Sequence, residues 1–219
     1  MDLDVDLYFS FRSPYSYLAS GRLADLAARY ALCFHLRPVL PLAVRETGFF
    51  TARNPAWVPY LLRDTMRIAQ MHRIPYGWPR PDPVTTDPAT LDATADQPHI
   101  HRLTRLGVAA EERGRGLAFA CEVARLIWSG EINGWDQGDH LAEAAARAGL
   151  ALDELDTAIA AAPRDYAARV AANQDALAAA GHWGVPCMVF QGEPFFGQDR
   201  IDVLLWRLKQ HGLKARVKR

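Results

Sequence analysis

Three short segments bring together residue types that bind or stabilise an anion. The first, Phe9-Ser10-Phe11-Arg12-Ser13-Pro14-Tyr15-Ser16, runs an apolar stretch directly into a helix start. Ser13 has the side chain of an N-cap, Pro14 has the φ suited to the first helical position, and Ser16 falls in the first turn. A helix beginning there presents unpaired N–H groups and the positive end of its dipole beside the Ser13 hydroxyl, which favours an anion at that spot. The second segment, Trp183-Gly184-Val185-Pro186, has a proline entering a strand after a glycine. A cis Val185–Pro186 bond would turn the Val185 backbone outward, leaving its N–H and C=O to pair with an extended peptide. In the third, Phe195-Phe196-Gly197-Gln198-Asp199-Arg200, a helix start would receive a carboxylate while Asp199 receives an ammonium. Those groups fit the α-amino acid end of a γ-glutamyl group. Taken singly, each segment also reads as ordinary structure: a capped helix, a trans proline, a turn capped by Asp199.

The elements that must position these segments are legible in the periodicity. Leu3, Val5, Leu7, Phe9 and Phe11 alternate with polar residues, as in a strand with one face on a core. After Ser13 the spacing of Tyr15, Leu18, Ala19, Leu23, Leu26, Ala27 and Tyr30 becomes helical. Leu32 to Leu36 reads as a second strand, so the chain opens as a right-handed βαβ unit. From Pro38 to Pro98 prolines recur around a helical stretch at Trp57 to Met71, and the part that follows it is too rich in turns for long regular structure. From His99 to Ala180 an alanine-rich helical pattern is broken at Gly114, Gly130 to Gly138, Gly149 and Pro163. Strand character returns at Cys187 to Phe190, turns at Gln191-Gly192-Glu193 and continues at Phe195-Phe196. A last helix starts near Gln198 or Asp199, buries Ile201, Leu204, Leu205 and Leu208, and stops at Gly212. Residues 1–50 and 180–219 are therefore expected to share one sheet, with residues 51–179 as an inserted helical domain.

Composition bounds the function. Of the 219 residues, 50% are hydrophobic and 23% charged, and 25 Lys plus Arg balance 25 Asp plus Glu. No overall field draws the chain to nucleic acid or an anionic membrane. The basic stretch Lys209 to Arg219 reads as a solvated end. No apolar run approaches the roughly 18 residues of a membrane span. Asp2, Asp4 and Asp6 are not the start of a signal or transit peptide. The three cysteines, Cys33, Cys121 and Cys187, form no C-x-x-C or zinc-like spacing, so a reduced, cytoplasmic protein is expected. Cys33 and Cys121 read as core residues, and the His99-x-His101 pair, without further ligands, as surface or loop rather than metal site. No metal is expected.

The order strand, S-P-Y-S helix, helical insert, G-V-P strand and F-F-G-Q-D-R helix resembles the thioredoxin-like family of 2-hydroxychromene-2-carboxylate isomerases and kappa-class glutathione transferases, relatives of the bacterial disulfide oxidoreductases. The resemblance covers Val5 to Gly48 and His182 to Leu208 through these motifs, and the middle through helical character and length. It implies an α/β fold, a thioredoxin-like βαβ…ββα domain with a large α-helical insertion, and glutathione as the bound thiol. Ser13 then matches the serine bonded to the glutathione sulfur. Val185, before Pro186, matches the residue whose backbone pairs with the glutathione cysteine, and Gln198 and Asp199 match the γ-glutamyl contacts. Arg45 falls where the family has a substrate-site lysine, and Asn54-Pro55 matches an element lining that site, behind the extra residues Phe49 to Arg53. Cys187 replaces a common threonine after the proline, where thioredoxin topology would put a thiol beside Ser13. The stretch Pro75 to Thr86 matches no substrate-side pattern, although Tyr76 and Trp78 have the character of pocket walls. Trp183 reads equally as packing or as a pocket wall.

The chemistry implied is a thiolate addition. A free thiol titrates near ~8.5, so only a few per cent is thiolate at neutral pH. Each pKa unit removed by the site corresponds to about 1.4 kcal/mol of preferential thiolate stabilisation. Ser13 would donate a hydrogen bond rather than act as nucleophile, since no base stands near it in sequence. The thiolate would add to a conjugated, carboxylate-bearing aromatic substrate, the adduct would rotate and the thiol would leave, with Arg45 holding a carboxylate or enolate. A kappa-like transferase would use the same site and release a conjugate. A non-catalytic glutathione- or peptide-binding protein is the third reading. A dithiol cycle is disfavoured because S-P-Y-S forms no internal disulfide. The resemblance also implies a homodimer.

Overall fold

In the computed structural model, which describes residues 2–46, 48–49, 54–90 and 92–216, the N-terminal alternation forms β1 (Leu3–Phe9). Val5, Leu7 and Phe9 are buried on one face. Phe11, expected to extend the alternation, lies beyond the strand in a turn yet is equally buried. Helix α1 (Pro14–Arg29) lays Leu18, Ala19, Leu23 and Leu26 on the same core. Full burial of one such leucine contributes roughly 1.5–3 kcal/mol. β2 (Leu32–Pro38) returns parallel to β1, with Leu3 opposite Leu32 and Phe9 opposite Pro38. It runs two residues past the expected Leu36. As an edge strand its Leu36 N–H is answered by the Glu111 carboxylate at 3.0 Å, which covers one otherwise open ladder position.

The other end of the chain completes the sheet. β3 (Cys187–Phe190) pairs antiparallel with β1, and β4 (Glu193–Phe196) antiparallel with β3, giving the order β2-β1-β3-β4. The hairpin turn puts Gln191 and Gly192 at positive φ (51° and 82°), the twist that a two-residue hairpin loop requires. The class is α/β, with the βαβ…ββα order that the family resemblance implies.

Between β2 and β3 come α2 (Leu42–Arg45), α3 (Trp57–His72), α4 (Ile100–Glu112), α5 (Gly116–Trp128), α6 (His140–Arg147), α7 (Leu152–Ala161) and α8 (Pro163–Ala179). The breaks expected at Gly114, Gly130 to Gly138, Gly149 and Pro163 each fall at a helix boundary or between helices. A single hydrophobic cluster joins Leu7, Phe9 and Leu18 to Leu103, Phe119 and Trp128, so the sheet and the helices on that face share one core. A second cluster on the opposite sheet face holds Tyr8, Val39, Leu177, Cys187 and Val189. Helix α3 is thinly anchored for its 16 residues: it buries only Thr65 and Ala69 and leaves Val58, Leu62, Met66 and Met71 exposed. Thr47 and residues 50–53, between α2 and α3, lie outside the described residues, as do residues 217–219 of the basic tail.

Two contacts lock the turn between β1 and α1. Trp128, fully buried, donates its indole N–H to the Phe11 carbonyl at 2.8 Å. The Gly77 N–H donates to Trp128 O at 2.8 Å, and a Cβ on Gly77 would lie 2.7 Å from Gly130 Cα, so the two backbones meet without side chains between them. The C-terminal helix begins later than expected. A 3-10 turn (Gln198–Arg200) precedes α9 (Ile201–Gln210), and Asp199 sits inside that turn instead of capping the helix. Replacing Trp128 by Phe keeps an aromatic ring but strands the Phe11 carbonyl. The expected loss is about 1–3 kcal/mol, read as a lower urea midpoint at unchanged slope.

Candidate functional site

Ser13 takes the extended conformation of an N-cap (φ −91°, ψ 116°), and its Oγ accepts the Ser16 N–H at 3.2 Å. The same hydroxyl points at the Val185 carbonyl, 3.4 Å away, which is long for a hydroxyl bond. Pro14 opens the helix, and no acidic residue occupies its first turn, so the positive end of the dipole is not neutralised locally. The Val185–Pro186 peptide is cis, as is Arg80–Pro81. Gly197 N–H closes onto Pro186 O at 2.8 Å, which brings the third segment up beside the second. The segments separated by some 170 positions in the chain therefore meet around one hydroxyl.

They share a cavity of about 920 Å³. Ser13, Val185, Gln198, Asp199 and Asn54 all line it; Pro186, Arg45 and Pro55 do not. Arg45 instead donates from Nη2 to the Trp183 carbonyl at 2.9 Å, and desolvation lowers its pKa. Gln198 is nearly buried and committed to a residue that sequence reasoning missed: Arg22 Nη1 donates both to its Oε1 (2.9 Å) and to its backbone carbonyl (3.0 Å). Asp199 pairs with Arg200 at 2.8 Å, and Asn54 Oδ1 accepts the Ala56 N–H. The two walls suggested for the Pro75–Thr86 stretch do not line the cavity but back it: Tyr76 donates its hydroxyl to Thr65 and Trp78 lies under Arg12.

Residues that do line the cavity were missed as well. Tyr15 donates its hydroxyl to Asp64 Oδ2 at 2.7 Å, linking α1 to α3 across the cavity margin, and Tyr60 reaches Asp64 Oδ1 at 3.4 Å. Burial, and then the Asp64 carboxylate, push the Tyr15 phenol far above its ordinary range, so it stays protonated. Arg12, one residue before Ser13, lines the cavity and forks onto Asp82 through Nε (3.2 Å) and Nη2 (2.9 Å). Arg12 and Tyr15 stood inside the first motif; their spacing there matched a turn and an apolar helix face, and their partners lie 70 and 49 positions away.

Residues 4–209 match the profile of the DSBA-like thioredoxin domain. The chain belongs to that family. Among its relatives, a 2-hydroxychromene-2-carboxylate isomerase from Sphingobium xenophagum is 29% identical over 208 residues, covering 93% of this chain and 97% of that protein. A solved 2-hydroxychromene-2-carboxylate isomerase superposes with a TM-score of 0.72 at 22% identity, over 95% of this chain and 96% of the other. The cytosolic disulfide reductase DsbM from Pseudomonas aeruginosa, solved with GSH, has a TM-score of 0.57 at 19% identity, over 94% and 100% of the two chains.

Within this DSBA-like fold none of the three cysteines lines the cavity, so Cys187 does not present the thiol expected beside Ser13. Cys187 is fully buried on the sheet face with Tyr8 and Leu177, and burial pushes its thiol up to about 11. Cys121 is pushed up to about 12 by burial. Ser16, at the other end of the S-P-Y-S motif, is also buried, and its hydroxyl has no partner among the described residues. His182 stacks between Trp183 (4.6 Å) and Phe196 (4.0 Å), two cavity-wall rings, and its Nδ1 accepts the Gly184 N–H. That burial lowers its pKa below the ordinary 6.5.

Two measurements check this geometry. Ser13→Ala removes a cap worth about 1 kcal/mol and lowers Tm by roughly 2–4 °C for a chain of this size. Ser16→Ala deletes an unsatisfied buried hydroxyl and leaves Tm unchanged or slightly raised in the same melts. The neutral His182 ring contributes its stability above pH 6.5, and that contribution is lost as pH falls through the lower folded pKa. Protonation beside Trp183 should quench indole fluorescence with a midpoint below 6.5, and this step should vanish in His182→Gln.

Proposed function

We propose that this protein is a glutathione-dependent isomerase of a 2-hydroxychromene-2-carboxylate-type intermediate of aromatic catabolism, working as a cytoplasmic homodimer. One observation carries the reading. The Ser13 hydroxyl caps a 16-residue helix and faces the Val185 backbone within a large cavity, while S-P-Y-S itself contains no cysteine. The site therefore has the donors for a thiolate but not the thiol. Support for the substrate class comes from the isomerase relative aligned over nearly its whole length, and support for the thiol from the fold neighbour solved with GSH.

The donor set suits glutathione along its length. Ser13 donates its hydroxyl to the sulfur, and the α1 N-terminus favours the thiolate over the thiol. Val185 offers backbone N–H and C=O to the cysteinyl residue, with Pro186 holding that edge. Gln198 and Asp199 take the γ-glutamyl end, Gln198 held from behind by Arg22. When bound, glutathione supplies the nucleophilic sulfur that adds to the conjugated substrate and leaves after the carbon–carbon bond has rotated. Asn54, with Pro55 next to it, shapes the substrate side, and Arg45 steadies Trp183 on that wall. Each role of Ser13 is a difference between two protonation states of sulfur, so removing it should act on the pH profile as well as on rate.

Glutathione at about 100 times its Kd should stabilise the protein by roughly 2.7 kcal/mol, visible as a rise in Tm. Ser13→Ala should shift the pH–rate profile for isomerisation to higher pH and lower kcat roughly 100- to 1,000-fold. No thermal shift at millimolar glutathione would sink the reading. Turnover of a generic electrophile to a released conjugate, without isomerisation, would assign the kappa-like transferase instead.

A further inference from the structure

A substrate that carries a carboxylate needs a cation where it lies, and the residue first suited to that role, Arg45, is not on the cavity wall. Among the described residues lining the cavity, Arg12 is the only cationic side chain; the carboxylates there are Asp64 and Asp199. We propose that Arg12 is the anchor for the carboxylate of the aromatic substrate, an inference that rests on the isomerase reading above.

The surroundings of Arg12 are those of a built site. Its side chain is 17% exposed and paired with Asp82, so the guanidinium is held in place with limited access to water. The fork to Asp82 fixes the plane of the guanidinium from one edge, and the Trp78 ring lies beneath it at 5.1 Å. Trp78 is held in turn against Trp128 at 5.3 Å, the residue that bonds the Phe11 carbonyl next to Arg12. A guanidinium fixed in this way has lost its rotamer freedom before the substrate arrives, which lowers the entropic cost of binding. Its position in the chain, directly before Ser13, ties the carboxylate anchor to the thiolate donor through one rigid turn. A carboxylate turned toward Asp64 instead would meet a like charge whose oxygens are already engaged by Tyr15 and Tyr60. Repulsion there and attraction at Arg12 give the substrate one orientation. Arg12 is thus a specificity-determining residue, acting on the non-reacting end of the substrate.

The test compares chromone-2-carboxylate with chromone-2-carboxamide, which share ring and shape but differ by one charge. Bound to the full-length protein with glutathione present, the acid should bind roughly 10- to 100-fold tighter than the amide. In Arg12→Gln the two should bind about equally, and KM for isomerisation should rise by a similar factor with a smaller change in kcat. Arg12→Lys, which keeps the charge without the fork, should restore part of the discrimination. Should Arg12→Gln fold poorly because Asp82 is left unpaired, Arg12→Gln with Asp82→Asn removes both charges and must show the same loss. Retained discrimination in these variants overturns the proposal, as does a weakened thermal shift by glutathione with discrimination intact, which would place Arg12 on glutathione instead. Because the ligand pair needs no turnover, failure of this inference is separable from failure of the isomerase reading, which would appear as wild-type protein without isomerisation.

Discussion

The turn between β1 and α1 has to satisfy buried backbone groups at the end of the central strand and still leave a helix N-terminus facing outward. Four contacts do most of this. Val39 N–H takes Phe9 O, Ser13 N–H takes Ser10 O, Trp128 takes Phe11 O, and the Ser13 hydroxyl takes Ser16 N–H. An unpaired group in such a place costs roughly 1–3 kcal/mol, so the turn has little freedom to adopt another path. The position of the Ser13 oxygen follows from these bonds. So does its distance to Val185, because β3 pairs with the same strand from which the turn departs.

The walls of the cavity are held by different amounts of burial, and this divides their roles. The floor, made from the β1–α1 turn and the approach to β3, stands on the core of Leu7, Phe9, Leu18 and Trp128. The far wall is α3, which buries only two side chains and is tied to α1 through Tyr15 and Asp64. Segments with few buried contacts open at lower free energy than the core. The floor beside Ser13 is therefore the rigid part of the site, while the wall formed by α3 is the part that opens at lower free energy.

The DSBA-like fold accommodates more than one use of sulfur, and local chemistry decides among them. A dithiol cycle needs two cysteines near the helix start, one of them an accessible, low-pKa thiol and the other close enough to close the disulfide. Here that helix start carries Ser13 and Ser16, and Cys187 faces the opposite side of the sheet with its thiol held protonated by burial. The dipole end and the Ser13 hydroxyl thus face a cavity that no cysteine lines among the described residues.

Much of this was written locally. Alternation at Leu3 to Phe9, the Ser13-Pro14 cap, the glycine breaks among the helices and the Gln191-Gly192 turn all depend on neighbours within a few positions, so period and turn chemistry were sufficient to place them. The Ser13 side of the site was legible for the same reason, since a cap is a local device. Asp199 misled because a helix cap and a 3-10 turn begin with the same residue types. The commitments of Arg45 to Trp183, Gln198 to Arg22, Arg12 to Asp82 and Tyr15 to Asp64 were not legible. Each joins residues far apart in the chain. Sequence by itself determined where a helix N-terminus and a capping serine would be. Only the tertiary structure decided which charged side chains reach the cavity, because the direction of a long, flexible arginine is set by the partner it meets and not by its place in the chain.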